Sequence, residues 1–461
     1  MTGYEFNKKR APWRRMLLAM AGAATLFAGA SAQAGIAGWN AVNNTTPTFN
    51  LTAREGYISV SDGGSVYSWG YSQGGINSGN NMQLPGPTLI VREGAQVTVR
   101  LWNNLPTAAG NVSIVFPGQV VDSCTANCGV TGELTNEAQP GAFVEYTFTA
   151  STPGTFQYHS GTDPDLQVEM GLFGTLIVRP AEWNNGASRT AYGDDTDTYY
   201  DREYLYVLSE IDLDTHVAAE MGRGGEAGSI VIPGGQYHPE YWLMNGRAGP
   251  DTMAGDNLGS LPYQPYGSLT RMHPGEKLLI RVVGAGREQH PFHTHGNHAR
   301  LLARDGRPLL NGAGNLAGPL LFTIPSVPGG TADAIFEWTG KELGWDMYGH
   351  TNPDDGGCVD DNGDGYDDGG DNAWEWCADH GKPIPVELPS LTNLAFGGFY
   401  SGSPFLGALG SLPPGEGGLN PGAGFAYMWH SHTERELVNN DVFPGGMMTM
   451  LIVEAPFVTI D

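Results

Sequence analysis

The sequence predicts an all-β chain built from tandem sandwiches or barrels, and three observations carry that prediction. First, 68 glycines and 31 prolines among 461 residues make it turn-rich throughout. Second, short alternating or apolar runs stand between Gly, Pro and Asn punctuation, with side chains two apart facing one side. Third, neither a long amphipathic helix nor a repeat at solenoid spacing is visible.

The first run of such segments lies between residues 35 and 180. It contains Gln96–Trp102 (QVTVRLW), Ala142–Thr149 (AFVEYTFT), Gly154–His159 (GTFQYH) and Gly171–Val178 (GLFGTLIV). Residues 181–200 are polar and turn-rich and read as a linker. A second series follows in 201–461, with Tyr204–Ile211, Tyr241–Asn245, Lys277–Val283, His298–Ala303, Ala334–Trp338, Ala426–His430 and Met448–Val453. It is interrupted by a Gly/Pro/Asp-rich insertion at about 345–423, long enough to carry a role of its own. Either part is large enough to bury a core.

Residues 1–34 read as a signal peptide. Lys8, Lys9, Arg10, Arg14 and Arg15 precede an apolar stretch from Met16 to Ala30 and a small-residue site at Ala32-Gln33-Ala34. The Arg14-Arg15 pair leaves both the general secretory and the twin-arginine routes open. Cleavage near Ala34 delivers a periplasmic or extracellular chain. It removes five positive charges and one negative, taking the formal charge from −26 to −30. Such acidity disfavours nucleic acid and anionic lipid while leaving cations as partners. No later run is long and apolar enough to span a bilayer. The cysteines fit an oxidising compartment, with Cys124–Cys128 and Cys358–Cys377 as the simplest of three pairings.

Six of the twelve histidines fall in three short groups: His159, then His290, His293 and His295 in HPFHTH, then His430 and His432 in HSH. Imidazoles two apart on a strand share a face and can meet a transition metal such as copper, zinc or iron. A different signal, DDNGDGYDDGGD, spans residues 360–371. Asp360, Asn362, Asp364, Asp368 and Asp371 place oxygen donors at the spacing of a calcium loop, and Gly365 permits its turn.

The segments PGPTLIVREGAQVTVRLWNNLP (Pro85–Pro106), GTFQYHSGTDPDLQVEMGLFGTLIVRP (Gly154–Pro180), HPFHTHG and FAYMWHSHTERELVNNDVFPGGMMTMLIVE resemble the multicopper oxidase superfamily in its two-domain form. The resemblance implies tandem cupredoxin-like Greek-key sandwiches, a blue type 1 copper that accepts electrons, and a trinuclear copper cluster that reduces dioxygen. It places His290 at a type 1 position and His159, His293, His295, His430 and His432 at trinuclear positions. It also exposes departures. Val115-Phe116-Pro117 stands where a His-x-His pair is expected, Gly161 replaces the partner of His159, and Ser431 replaces the type 1 cysteine. No histidine follows His432.

Serine cannot form the thiolate–copper bond of a blue site. Five histidines also supply too few donors for three coppers, though enough for one. The expectation is an exported copper-binding relative with fewer than four ions and no type 1 copper, with His290 as a ligand or a support for one. If active, it is an oxidoreductase working with a redox partner. The alternative is a scaffold or binding protein that has lost catalysis. Two-domain members place their cluster between the subunits of a homotrimer, and this chain is expected to do the same.

Overall fold

The computed structural model describes residues 35–122, 126–184, 189–193, 198–232, 234–235, 237–341, 358–368, 375–377, 403–404, 425–454 and 458–460. The signal-peptide reading and most of the insertion lie outside these residues.

The N-terminal part holds seven principal strands: β1 Thr48–Ser59, β2 Ser65–Gln73, β3 Leu89–Arg92, β4 Gln96–Asn104, β5 Phe143–Thr149, β6 Gly154–His159 and β7 Phe173–Arg179. They form two sheets, ordered β2-β1-β4-β5 and β3-β7-β6. One core joins their inner faces, with Phe49, Leu51, Val99 and Tyr146 from one sheet and Leu89, Phe156, Tyr158 and Leu176 from the other. Alternation is clear in β4, where Val97, Val99 and Leu101 are buried between more exposed neighbours.

The C-terminal part repeats the plan with β8 Arg202–Ile211, β9 Tyr241–Met244, β10 Thr270–Met272, β11 Lys277–Gly284, β12 His290–Thr294, β13 Ala299–Arg304, β14 Thr323–Ser326, β15 Thr331–Glu337, β16 Phe425–Ser431 and β17 Met448–Val453. Its sheets run β9-β8-β11-β15-β13 and β10-β17-β16-β12-β14. Tyr206, Ile280 and Ala334 meet Phe292, Trp429 and Leu451 between them.

The sheets are mixed, whereas period-2 patterning alone suggested antiparallel strands. β1 runs parallel to β4 and β3 to β7; in the second part β8 runs parallel to β11 and β10 to β17. The same two parallel pairings recur in each sandwich, and sequence alternation cannot report strand direction.

Strands β7 and β8 are buried along almost their whole length because their outer faces meet the other sandwich. A third core of Ile58, Met82, Leu84, Phe173, Leu205, Val207, Leu243 and Val283 fills that junction. A buried ionic network spans it too. Arg179 of β7 pairs with Glu203 of β8, Arg281 of β11 lies 3.1 Å from Glu203 and 3.5 Å from Asp333, and Thr155 Oγ1 donates to Asp333 at 2.7 Å. Within the segment read as a linker, Trp183, Ala191 and Tyr200 are buried.

One ten-residue helix, α1 (Leu213–Gly222), escaped the sequence reading. Its start is capped by Asp212, whose carboxylate accepts from the Thr215 amide at 3.0 Å. His216 is buried on this helix.

Candidate metal centre

The site rests on one pairing. β12 and β16 run antiparallel with Phe292 opposite Ser431, His293 opposite His430 and Thr294 opposite Trp429. Directly opposed residues share a face. Phe292, Thr294, Trp429 and Ser431 therefore point into the core, while His293 and His430 point out of it. The His432 amide donates to Pro291 at 2.9 Å, so the ladder carries His432 to the same outer face. The chain turns after Thr294 and brings His295 alongside.

Three imidazoles converge there, with the ring of His432 beside them. His295 Nε2 and His430 Nε2 are 3.1 Å apart, and His293, His295 and His430 each offer a ring nitrogen within 4.8 Å of the others. The His432 ring lies 4.7 Å from that of His293 and 5.7 Å from that of His430. Nitrogens bound to a single ion at roughly 2.0–2.1 Å stand about 3 Å apart, so this donor set fits one metal ion.

Further contacts orient the rings. His430 Nδ1 donates to the Ser431 carbonyl at 2.6 Å, leaving its Nε2 lone pair toward His295. His293 Nδ1 lies 2.9 Å from Thr323 Oγ1 on β14, which leaves Nε2 for an ion. Burial, reinforced by the three neighbouring histidines, pushes His293 down to about 4, and burial also lowers His430. Neutral imidazole is the form that binds metal.

His159 ends β6 and is partly buried. Its Nδ1 takes up the Ser160 carbonyl at 2.9 Å, as His430 does with Ser431, but among the described residues it belongs to no group of three donors.

His290 stands apart from the cluster, on the core face of β12 and fully buried. Its Nε2 lies 2.8 Å from Glu210 and its Nδ1 2.9 Å from Glu436. Burial opposes its charge, yet the two carboxylates outweigh burial and push it up to about 9. Both ring nitrogens therefore face carboxylates, from opposite edges of the ring. Met447 is a buried core residue.

Glu210 and Glu436 were not singled out in the sequence; isolated acidic residues 226 positions apart carry no local signal. Of the carboxylates after His159, Glu169 is buried, pushed up to about 8 mainly by burial, and hydrogen-bonded to Tyr237, while Asp165 is exposed near Arg287.

In the acidic loop, Asp360 accepts from the amides of Gly363 and Gly365, and Asp368 from those of Asp361 and Asn362. Asn362 and Asp364 form similar short turns. Gly365 sits at φ 91°, the left-handed turn the motif requires. The Cys358–Cys377 disulfide closes the loop with Cα atoms 5.3 Å apart. Cys128 is also disulfide-bonded, while its expected partner Cys124 and the last loop donor, Asp371, lie outside the described residues.

The two mixed-sheet sandwiches are cupredoxin-like, and the imidazoles converge on one sheet of the second. Residues 73–182 match the multicopper oxidase family. The chain is 34% identical over 213 residues to laccase 1 of Metarhizium acridum, covering 46% of this chain and 30% of that one. It is 34% identical over 238 residues to the L-ascorbate oxidase of Cucurbita maxima (49% and 37%). The chain spans only about a third of the length of these relatives. In fold, it resembles the blue copper oxidase of Nitrosomonas europaea with a TM-score of 0.51 at 20% identity, over 88% of this chain and 85% of that one. The multicopper oxidase mgLAC gives 0.50 at 18% identity, over 90% and 87%. In sequence over part of its length, and in fold, the chain is similar to multicopper oxidases.

Proposed function

We propose that this protein binds copper through His293, His295, His430 and His432, holds fewer than four ions, and lacks the blue type 1 centre. The observation that carries the proposal is the 3.1 Å approach of His295 Nε2 to His430 Nε2 beside His293. Copper held by imidazoles supplies one-electron redox chemistry. The chain's own part is to present neutral rings: Ser431 fixes the tautomer of His430, Thr323 positions His293, and burial keeps His293 and His430 unprotonated.

Without a thiolate acceptor, four-electron reduction of dioxygen is not the expected reaction, and turnover requires a separate redox partner. His159 joins the centre from a second copy in a homotrimer. The chain acts in the periplasm or outside the cell once residues 1–34 are removed. Metal analysis of the purified mature protein tests the core of this reading. About one copper per chain without an intense blue absorption is expected. No transition metal under any loading condition would sink it, and oxygen uptake with a phenolic reductant would restore an oxidase.

Calcium at Asp360, Asn362, Asp364, Asp368 and Asp371 orders the insertion. A chelator should lower the melting temperature of that segment; no change on calcium removal would refute the ion.

A further inference from the structure

We infer that His290 is a positioning residue for the copper centre, acting through a buried Glu210–His290–Glu436 bridge. This rests on the copper reading above but concerns a different set of atoms. His290 joins three elements. Through its own backbone it belongs to β12, three residues before His293. Through Nε2 it reaches Glu210 on β8, in the opposite sheet, at 2.8 Å. Through Nδ1 it reaches Glu436, in the short 3₁₀ turn Glu434–Leu437 just after His432, at 2.9 Å. The strand that carries His293 and leads into His295 is thereby tied to the turn that follows His430 and His432.

The bridge is a built site. Neither carboxylate nor the imidazole is more than 3% exposed. The second oxygen of Glu210 accepts from the Glu288 amide at 2.8 Å, from the Arg287 amide, and from Tyr237 Oη at 3.1 Å. A side chain at Gly286 would sit 1.8 Å from Glu210, so only glycine leaves room for that carboxylate. Glu436 is fixed by its own backbone, its amide donating to Thr433 and its carbonyl accepting from Met447, each at 2.8 Å.

The hydrogen count assigns the form of the ring. Glu210 and Glu436 face opposite ring nitrogens as acceptors, so both contacts are satisfied together only when the imidazole carries both protons. A doubly protonated ring has no lone pair for a metal. Its two charge-assisted hydrogen bonds instead set the distance between the two histidine pairs, as outer-shell partners do for metal ligands elsewhere.

The test uses the full mature protein in metal-free and copper-loaded forms. In the metal-free protein, nitrogen-15 labelling of histidine should show two slowly exchanging ring N–H protons on His290 at neutral pH, both absent in His290→Gln. A single N–H would overturn the bridge. On copper titration, His290→Gln should keep the wild-type number of coppers per chain, bind them about 10- to 100-fold more weakly, and change the electron paramagnetic resonance spectrum of the bound ion. One copper fewer per chain would make His290 a ligand and overturn the inference. Unchanged affinity and spectrum beside a lowered melting temperature would reduce it to a purely structural role and overturn the positioning claim.

Glu436→Gln keeps an acceptor for Nδ1–H and should lose less affinity than Glu436→Ala; equal losses would also count against positioning. A wild-type protein that takes up no copper would defeat the copper reading and the positioning role with it, while the N–H protons decide the bridge on their own.

Discussion

At the scale of single residues, two histidines three positions apart on one strand have opposite chemistry. His293 faces other histidines and is held neutral; His290 faces two carboxylates and is held charged. The difference follows from which side of β12 each ring leaves. It has a consequence for stability against pH. His290 has a folded-state pKa of about 9, above its ordinary 6.5, because Glu210 and Glu436 outweigh burial. Its stabilising effect is therefore complete below about pH 6.5 and lost as pH rises through 9. Glu288, Arg287, Arg435 and Tyr237 also face this region and shape the profile. The melting temperature should fall between pH 6.5 and 9.5 in wild type, and fall less over that window in His290→Gln. Parallel profiles for the two proteins would contradict this assignment.

The histidines were legible as a group because HxxHxH and HxH are dense and rare. The carboxylates were not, since only the fold brings Glu210 and Glu436 to the same ring. Ser431 was legible only as a missing thiolate; its place on the core face, opposite Phe292, needed the register of the pairing.

At the scale of elements, β12 and β16 act as a two-sided plate, with imidazoles outside and aromatic rings inside. Phe292 packs 4.7 Å from Tyr206 and edge-on to Trp429 at 6.1 Å, and Trp429 meets Phe336 at 5.0 Å. Removing Phe292, which is fully buried, takes away the backing of the metal face. Phe292→Ala should cost about 3–5 kcal/mol of stability and weaken copper binding in the same variant. Chemical denaturation with a parallel copper titration measures both, and a stability loss under 1 kcal/mol would show the plate is not held from behind. Most of these strands were visible as alternating runs. Helix α1 was not, because LDTHVAAEMG lacks a clear apolar stripe and its main signal is a single capping Asp212. Strand direction was invisible too, since alternation is the same for parallel and antiparallel neighbours.

At the scale of the whole molecule, the two sandwiches are joined by an apolar seam and a buried charge network. Burial alone would raise the Glu203 carboxyl, but Arg179 and Arg281 hold it below its ordinary value. Glu203→Ala would strand two buried guanidinium groups and should cost about 3–5 kcal/mol, lowering the thermal transition of the entire chain. A local effect confined to one sandwich would argue that the seam is not cooperative. No helix among the described residues is long and apolar enough to cross a membrane.

The sequence by itself determined the β class, the turn-rich loops, the histidine set and the absence of a thiolate, because each is written in local composition or spacing. Tertiary structure alone decided which histidines meet, which stays outside the group, and which carboxylates face His290. Those outcomes depend on sheet register and on residues hundreds of positions apart, and a ring nitrogen becomes a ligand or a cation according to the partner that the fold puts in front of it.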